Sequence, residues 1–312
     1  NYCLTMYKKI VFMGTSYFAV PILKSLYQNG YPIAAVYTQP PKKSKRGQKV
    51  NKSPINLFSE NISTKVRAPQ SLKNNKEEEL YLSELKPDLV VVVSYGQIIP
   101  KNLLKIPKNG FINVHASLLP KWRGAAPIQR SIMNLDKETG ISMMRINENL
   151  DEGPVCKQYS IKISEKMNSE ELSEKLSLLA SEKILNIIDN IYDDNIKFNE
   201  QDHSSATYAK KIQKIEGKIN WKENAEKIIG KINGLYPFPG AFFLFNGERY
   251  KILKAEKFNT KGNPGNVVSD DLEICCGEGS IKVLTIQREG KKVQKINEFL
   301  LGTLIKKGAN IA

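Results

Sequence analysis

The chain has 312 residues, of which 41% are apolar and 25% charged, and its formal net charge is +15. This apolar content supports packed cores and excludes a disordered chain, and the length favours two domains over one. The longest strongly apolar run, LVVVV at residues 89–93, is far too short to cross a membrane, so we expect no membrane association.

The first residues and the cysteines both favour a reducing cytoplasm. The opening stretch NYCLTM is too short for a signal or transit peptide, and Met6 is a plausible start. The four cysteines form no C-x-x-C pair and have no histidine nearby in the sequence; they are Cys3, Cys156, Cys275 and Cys276. This pattern argues against a zinc site and against a disulfide framework. We therefore expect a cytoplasmic protein without a metal.

The first part of the chain predicts a βαβ unit. Residues 8–14 read as a strand that ends in glycine, residues 20–30 as a helix that ends at Gly30, and residues 33–39 as a second strand. Because βαβ units build parallel sheets, a Rossmann-like α/β domain is expected. The turn after the first strand has only one glycine of the dinucleotide fingerprint, which argues against an NAD site.

The pattern then continues to about residue 196. Residues 76–88 predict a helix closed by Pro87, and strands are expected at 88–96, 110–117 and 140–146. A long helix from Asn168 to about Tyr192 opens with a capping box between Asn168 and Glu171. The polar stretch that follows is typical of a linker. We place the first domain at 6–196, the linker at 197–209 and a second domain at 210–312.

The sequence pattern of the second domain predicts a small β-barrel. Alternating apolar residues at 241–256 surround the dipeptide Asn246-Gly247, which is a strong hairpin signal, and further short strands with glycine-rich turns follow. An OB-like barrel is the expected shape, and such barrels often bind nucleic acid.

The positive charge is concentrated in two places. Residues 36–67 contain eight basic residues and only one acid, a net charge of +7, and residues 205–312 contain 19 basic and 11 acidic residues, a net charge of +8. A solvated lysine-rich surface is the simpler explanation for charge runs in general. Concentration into two segments favours a polyanionic partner such as RNA here.

Three polar residues are expected near the carboxyl ends of two strands. Asn113 and His115 are separated by one residue, so their side chains share one face of a strand, and Asp151 follows the end of another strand. An imidazole that takes a proton, an amide that stabilises a developing oxyanion and a carboxylate that orients the imidazole suit acyl transfer without a covalent enzyme intermediate. The spacing alone slightly favours a simpler interpretation, in which His115 is a half-buried structural histidine and Asp151 a turn-forming residue.

The stretch NVHASLLPKWRGAAPIQR at 113–130, together with LDEGP at 150–154, resembles the folate-dependent formyltransferases. The resemblance extends over the opening FMGTSYFAVP, TQPPKKSKRGQKV, SYGQIIP and the region from Tyr208 to Phe242, and so covers residues 7 to about 300. The N-x-H pattern with a later aspartate is shared across the family. The WRGAAPIQR block and the C-terminal region resemble the members that act on tRNA.

This resemblance implies a function and a set of site residues. It implies that the formyl group of 10-formyltetrahydrofolate is transferred to the amino group of methionyl-initiator tRNA by a monomeric enzyme. Asn113, His115 and Asp151 match the family's catalytic set. The tetrahydrofolate contact matches Ser117, Leu118, Leu119 and Pro120. Arg46 matches the arginine of a loop that approaches the tRNA acceptor end, and the lysines around it are expected to bind tRNA with it: Lys42, Lys43, Lys45 and Lys49.

The sequence leaves three other functions open. A formyltransferase acting on an amino sugar nucleotide would share the catalytic set but would have little use for a charge of +15. A glycinamide ribonucleotide transformylase is usually shorter, and the extra barrel disfavours it. A non-enzymatic RNA-binding protein would leave Asn113, His115 and Asp151 without a role. The sequence does not show how initiator tRNA would be distinguished from elongator tRNA.

Overall fold

The computed structural model describes residues 8–43 and 50–312. The chain forms two compact units, each assembled from separate stretches. The first contains the described residues up to Gly124 with residues 140–161 and 173–208, and the second contains residues 125–139, 162–172 and 209–312. The domain limits 6–196, 197–209 and 210–312 stay a prediction. Within the described residues, no helix has the length and apolar content that crossing a bilayer requires.

A mixed sheet of seven strands, most of them parallel, dominates the first unit. The strands up to residue 162 are β1 (Ile10–Gly14), β2 (Ile33–Tyr37), β3 (Lys42–Lys43), β4 (Val50–Asn51), β5 (Val66–Arg67), β6 (Leu89–Val93), β7 (Phe111–His115), β8 (Arg123–Gly124), β9 (Glu138–Arg145) and β10 (Val155–Lys162). The sheet order is β10-β9-β7-β6-β1-β2-β5, with parallel pairing from β7 to β5 and an antiparallel β9 on β7. The parallel-rich sheet expected from the sequence is confirmed.

Eight α-helices accompany the described strands. They are α1 (Val20–Gln28), α2 (Pro54–Asn61), α3 (Lys76–Leu85), α4 (Lys101–Leu104), α5 (Pro127–Met133), α6 (Ser169–Tyr192), α7 (Ala225–Gly234) and α8 (Ile296–Leu300). The capping box expected at α6 is present: the backbone N–H of Asn168 donates to Glu171 Oε2 at 3.1 Å, and that of Glu171 donates to Asn168 Oδ1 at 3.0 Å. These two bonds satisfy backbone donors that the first turn of a helix leaves unpaired.

The centre of the sheet is covered on both faces. All five residues of β6 and all five of β1 are buried, as expected for parallel strands between two layers. Burial on both faces removes every side chain of these strands from water, which explains why their sequences are apolar runs without alternation. The adjoining β7 carries polar residues at its carboxyl end, and the candidate site lies there.

The second unit contains an antiparallel sheet. The remaining strands are β11 (Tyr208–Ala209), β12 (Ala241–Phe245), β13 (Glu248–Phe258), β14 (Glu273–Cys275), β15 (Ser280–Arg288) and β16 (Gln294–Lys295). The sheet order is β12-β13-β15-β14, with β16 also paired to β15. Asn246 and Gly247, with φ of +51° and +77°, join β12 to β13 in the hairpin that the sequence predicts. Register shifts around Lys254 bend the long β13, and the curled sheet is consistent with the expected OB-like barrel.

An aromatic chain fills the core of this sheet. Trp221 lies edge-on to Phe243 with ring centroids 6.1 Å apart, Phe243 stacks on Tyr250 at 5.4 Å, and Tyr250 meets Phe299 edge-on at 5.8 Å. The Trp221 indole N–H donates to the carbonyl of Ile311 at 3.1 Å, so burial of this ring leaves no donor unpaired.

Candidate active site

Asn113 and His115 lie at the carboxyl end of β7. In the antiparallel pairing of β7 with β9, Asn113 is opposite Met144 and His115 is opposite Ser142. His115 is 6% exposed, whereas Asn113 is half-buried. Among the described residues, the Asn113 amide has no hydrogen-bond partner. Its N–H groups are therefore available to a bound molecule.

The backbone around Trp122 sets the tautomer of His115. His115 Nε2 lies 2.9 Å from the Trp122 carbonyl oxygen. A carbonyl oxygen can only accept, so Nε2 carries the proton and donates it. In the neutral ring, Nδ1 is then left with a free lone pair.

Asp151 approaches this second nitrogen. Its Oδ2 lies 3.6 Å from His115 Nδ1 and accepts a hydrogen bond of 2.8 Å from the backbone N–H of Gly124. Asp151 has φ of +51°, a region that non-glycine residues rarely adopt and that recurs at functional sites. The structure thus places the aspartate beside the imidazole, where sequence reasoning expected it.

The stretch Ser117–Pro120 is held by Ser142 of β9. The Ser142 hydroxyl donates to the carbonyl of Ser117 at 2.6 Å and accepts from the backbone N–H of Leu119 at 3.0 Å. It also accepts from the Gln158 amide at 2.8 Å. Ser117 and Leu119 are buried, and Leu118 and Pro120 are half-buried. A flat ligand could therefore contact the backbone of this stretch together with Leu118 and Pro120.

Neither of two nearby nucleophilic side chains is activated. The Ser117 hydroxyl donates to the carbonyl of Lys121 at 2.6 Å, which engages its proton. Burial raises the pKa of the Cys156 thiol to about 11, so this group stays protonated at neutral pH. This agrees with direct attack of one substrate on the other. Within the described residues, no group of three or more histidine, cysteine or acidic side chains could hold a metal ion.

The residues expected to bind tRNA are only partly described. Lys42 is exposed in β3, and Lys43 follows it in the same short strand. Lys45, Arg46 and Lys49 lie outside the described residues.

Two residues of this region were missed by sequence reasoning. Arg123 is 1% exposed and hydrogen-bonds to Gln201, which the sequence places in a linker. The only sequence signal was an arginine within the WRGAAPIQR block, and nothing in the pattern around Gln201 distinguishes it from other polar linker residues.

Comparison with known proteins identifies the family. The family model "Formyl transferase" matches residues 8–188, and "Formyl transferase, C-terminal domain" matches residues 211–304. The chain belongs to the formyl transferase family. The resemblance inferred from the motifs around His115 is thereby confirmed.

Sequence relatives of this formyl transferase cover nearly its whole length. A methionyl-tRNA formyltransferase of Pelagibacter ubique is 65% identical over 98% of this chain and 99% of the relative. The methionyl-tRNA formyltransferase of Caldanaerobacter subterraneus is 43% identical over 96% of this chain and 98% of the relative.

Solved structures share the fold at low identity. An N-formyltransferase from Helicobacter canadensis, in complex with folinic acid and dTDP-3-aminofucose, has a TM-score of 0.67 at 22% identity and covers 88% of this chain and 99% of that one. HypX from Aquifex aeolicus, in complex with tetrahydrofolic acid, has a TM-score of 0.65 at 14% identity and covers 93% of this chain and 46% of that one. These likenesses support the formyl transferase fold.

Proposed function

We propose that this enzyme transfers the formyl group of 10-formyltetrahydrofolate to the free amino group of methionyl-initiator tRNA. The observation that carries the proposal is the 65% identity, over nearly both whole chains, to a methionyl-tRNA formyltransferase. The arrangement of Asn113, His115 and Asp151 suits the reaction chemically. We predict that the enzyme is a monomer. We also predict that it acts in a bacterial-type cytoplasm, where charged tRNA is used.

The reaction joins the amino nitrogen of the methionyl group to the formyl carbon. As this bond forms, the formyl oxygen becomes negative, and the unpaired Asn113 amide is placed to donate to it. The amine must lose a proton, and His115 Nδ1 has the free lone pair that can accept it. The tetrahedral species then expels the folate nitrogen, which takes up a proton, so the products are formylmethionyl-tRNA and tetrahydrofolate.

Asp151 supports the histidine during this proton transfer. When Nδ1 gains the proton, the ring becomes a cation whose N–H faces the Asp151 carboxylate. An opposite charge at this distance favours the cation, and the bond from Gly124 N–H keeps the carboxylate in place. The roles differ, because His115 carries the proton whereas Asp151 stabilises the charge.

The decisive assay measures formyl transfer from 10-formyltetrahydrofolate to charged initiator tRNA, with uncharged tRNA as the control. Formylation of charged tRNA alone supports the proposal. Parallel reactions contain a dTDP-linked amino sugar, because an N-formyltransferase of this fold is bound to dTDP-3-aminofucose. Formylation of the sugar nucleotide without formylation of the tRNA would contradict the proposal and favour the sugar alternative.

Folate binding is proposed to depend on the backbone that Ser142 holds. Ser142→Ala removes the donor to Ser117 O and the acceptor for Leu119 N–H. We expect the Michaelis constant for 10-formyltetrahydrofolate to rise roughly 3- to 10-fold, which corresponds to about 1 kcal/mol of binding free energy, while that for tRNA stays nearly unchanged. Steady-state titration of each substrate measures this. A larger rise for tRNA would place the folate contact elsewhere.

The second unit offers an exposed basic segment for the tRNA backbone. Lys210, Lys211 and Lys214 are exposed and have no ion-pair partner among the described residues. Arg130 holds the backbone of this segment in place. It donates a hydrogen bond to the carbonyl of Lys210 and forms an ion pair with Glu216 at 2.6 Å. Unpaired lysines on a fixed backbone fit a sequence-independent contact with phosphates.

Replacing these three lysines should weaken binding of all tRNAs alike. With Lys210, Lys211 and Lys214 changed to Gln, we expect the slope of log affinity against log salt to fall by about one for each phosphate that is no longer neutralised. Binding of initiator and elongator tRNA at several salt concentrations measures this.

A matched control changes three lysines that already have acidic partners. Lys166, Lys257 and Lys282 pair with Glu256, Glu226 and Asp271. Changing them to Gln alters the net charge equally but should alter the slope much less. Equal slopes for the two triple variants would show that net charge alone governs binding. The initiator-specific contact is assigned to Arg46, as the family resemblance implies, with its lysine neighbours in residues 42–49 adding affinity.

A further inference from the structure

The segment from Gln201 to Thr207, which sequence reasoning assigned to a linker, packs against the candidate site. The backbone N–H of Thr207 donates to the carbonyl of Pro120 at 3.2 Å, and that of Arg123 donates to the carbonyl of Thr207 at 2.9 Å. The Thr207 hydroxyl accepts from the backbone N–H of Trp122 at 2.9 Å. The segment therefore packs against the loop that contains Trp122, whose carbonyl orients His115.

In this segment, the side chain of Gln201 is held by the buried Arg123. Arg123 Nε and Nη2 donate to Gln201 Oε1 at 3.1 and 2.8 Å. The guanidinium also contacts Glu152, 3.3 Å from Nη1, and His203 Nδ1, 3.2 Å from Nη2. A guanidinium without solvent requires such partners. Since arginine only donates, it fixes which end of the Gln201 amide is oxygen.

The other end of the same amide holds the turn that carries Asp151. Gln201 Nε2 donates to the carbonyl of Asp151 at 2.8 Å and to the carbonyl of Gly153 at 2.8 Å. Both N–H groups are thus used on the turn. Asp151 has a backbone conformation that is unfavourable for a non-glycine residue and persists only where its surroundings impose it.

We propose that Gln201, oriented by Arg123, is a positioning residue for the Asp151 carboxylate. The assignment rests on the proposed function, in which that carboxylate supports His115. If the peptide at Asp151 relaxes, the carboxylate moves away from the nitrogen that it faces at 3.6 Å. Gln201 itself contacts neither His115 nor Asn113 through any hydrogen bond among the described residues, so it acts through Asp151.

Two substitutions separate the two ends of the amide. Gln201→Met removes both the amide oxygen that accepts from Arg123 and the N–H groups that donate to the turn. Gln201→Glu keeps an acceptor for Arg123 but replaces the donor nitrogen with an oxygen that faces two carbonyls. We expect both variants to lower the single-turnover rate of formylation at saturating substrates by roughly 10- to 100-fold, the size expected for a misplaced catalytic group. Michaelis constants for donor and tRNA should change by less than about twofold, because Gln201 is not expected to touch either substrate.

A double-mutant cycle with Asp151→Ala distinguishes positioning from general destabilisation. Once the carboxylate is absent, there is nothing for Gln201 to position, so Gln201→Met should cost less than about threefold in that background. Should Gln201→Met fail to fold, Gln201→Glu takes its place in the cycle. Effects that multiply in the double variant would overturn the positioning role.

Gln158 provides the matched control. Its amide likewise donates to a backbone carbonyl, that of Leu119, and it makes no hydrogen bond to Asp151 among the described residues. Gln158→Met should raise the Michaelis constant for the formyl donor, and its effect should multiply with that of Asp151→Ala.

A wild-type enzyme that fails to formylate methionyl-tRNA would overturn the proposed function and this role with it. Formylation by the wild type with a multiplicative Gln201 cycle would overturn the positioning role alone.

Discussion

His115→Ala and Asn113→Ala should each lower the single-turnover rate of formylation by roughly 100-fold or more. The histidine variant loses the nitrogen that accepts the amine proton, and the asparagine variant loses a donor to the developing oxyanion. Each loss affects the transition state more than the bound substrates. The rate at saturating substrate should therefore fall while both Michaelis constants stay within a few fold.

The control for these variants is the folded state and its affinity for tetrahydrofolate. Asn113 is half-buried and has no hydrogen-bond partner among the described residues, so its replacement should leave the unfolding temperature nearly unchanged. His115 is buried and bonded to the carbonyl of Trp122, so a modest loss of stability is expected there. Either variant retaining a near-wild-type rate would remove the role proposed for that residue.

Asp151→Asn should remove most activity while keeping the shape of the site. The side-chain oxygen of asparagine can still accept from the N–H of Gly124, but the negative charge 3.6 Å from His115 Nδ1 is lost. The imidazolium formed during proton transfer is then less stable, and a rate loss of roughly 10- to 100-fold is expected. This is the second large effect that the geometry predicts.

The pH dependence provides the sharper readout for Asp151. If the carboxylate supports proton transfer at His115, its removal should change the pH profile of the rate while the maximum rate falls. Single-turnover rates measured across the acidic and neutral range test this. A variant with unchanged rate and profile would reduce Asp151 to a turn residue.

Local patterns were sufficient for most secondary structure. The capping box at Asn168, the Asn246-Gly247 hairpin and the strand that carries His115 were all predicted from the sequence and are present. Each depends on contacts between residues close together in the chain, or on alternation along one strand. Such features can be predicted from neighbouring residues alone, because residues distant in the chain do not contribute to them.

The convergence at the site was predicted only in part. Asn113 and His115 share a strand, so their proximity follows from spacing, and the position of Asp151 after another strand end, together with the family resemblance, placed it near them. The proton on His115 Nε2 could not be inferred from the sequence, because it depends on a bond to the carbonyl of Trp122, seven residues away across a turn. Backbone carbonyls carry no residue-specific signal.

The family, the α/β and antiparallel sheets and the polar groups available for catalysis could all be inferred from the order of the amino acids. The way in which Asp151 is held depends instead on the folded chain. Gln201 lies fifty residues further along the chain in a polar stretch without periodicity, yet its amide bonds to the backbone of Asp151 and Gly153. A hydrogen bond from a side chain to a distant backbone depends on the path of both segments. Burial of Arg123 between them helps to fix that path, because a buried guanidinium must find acceptors.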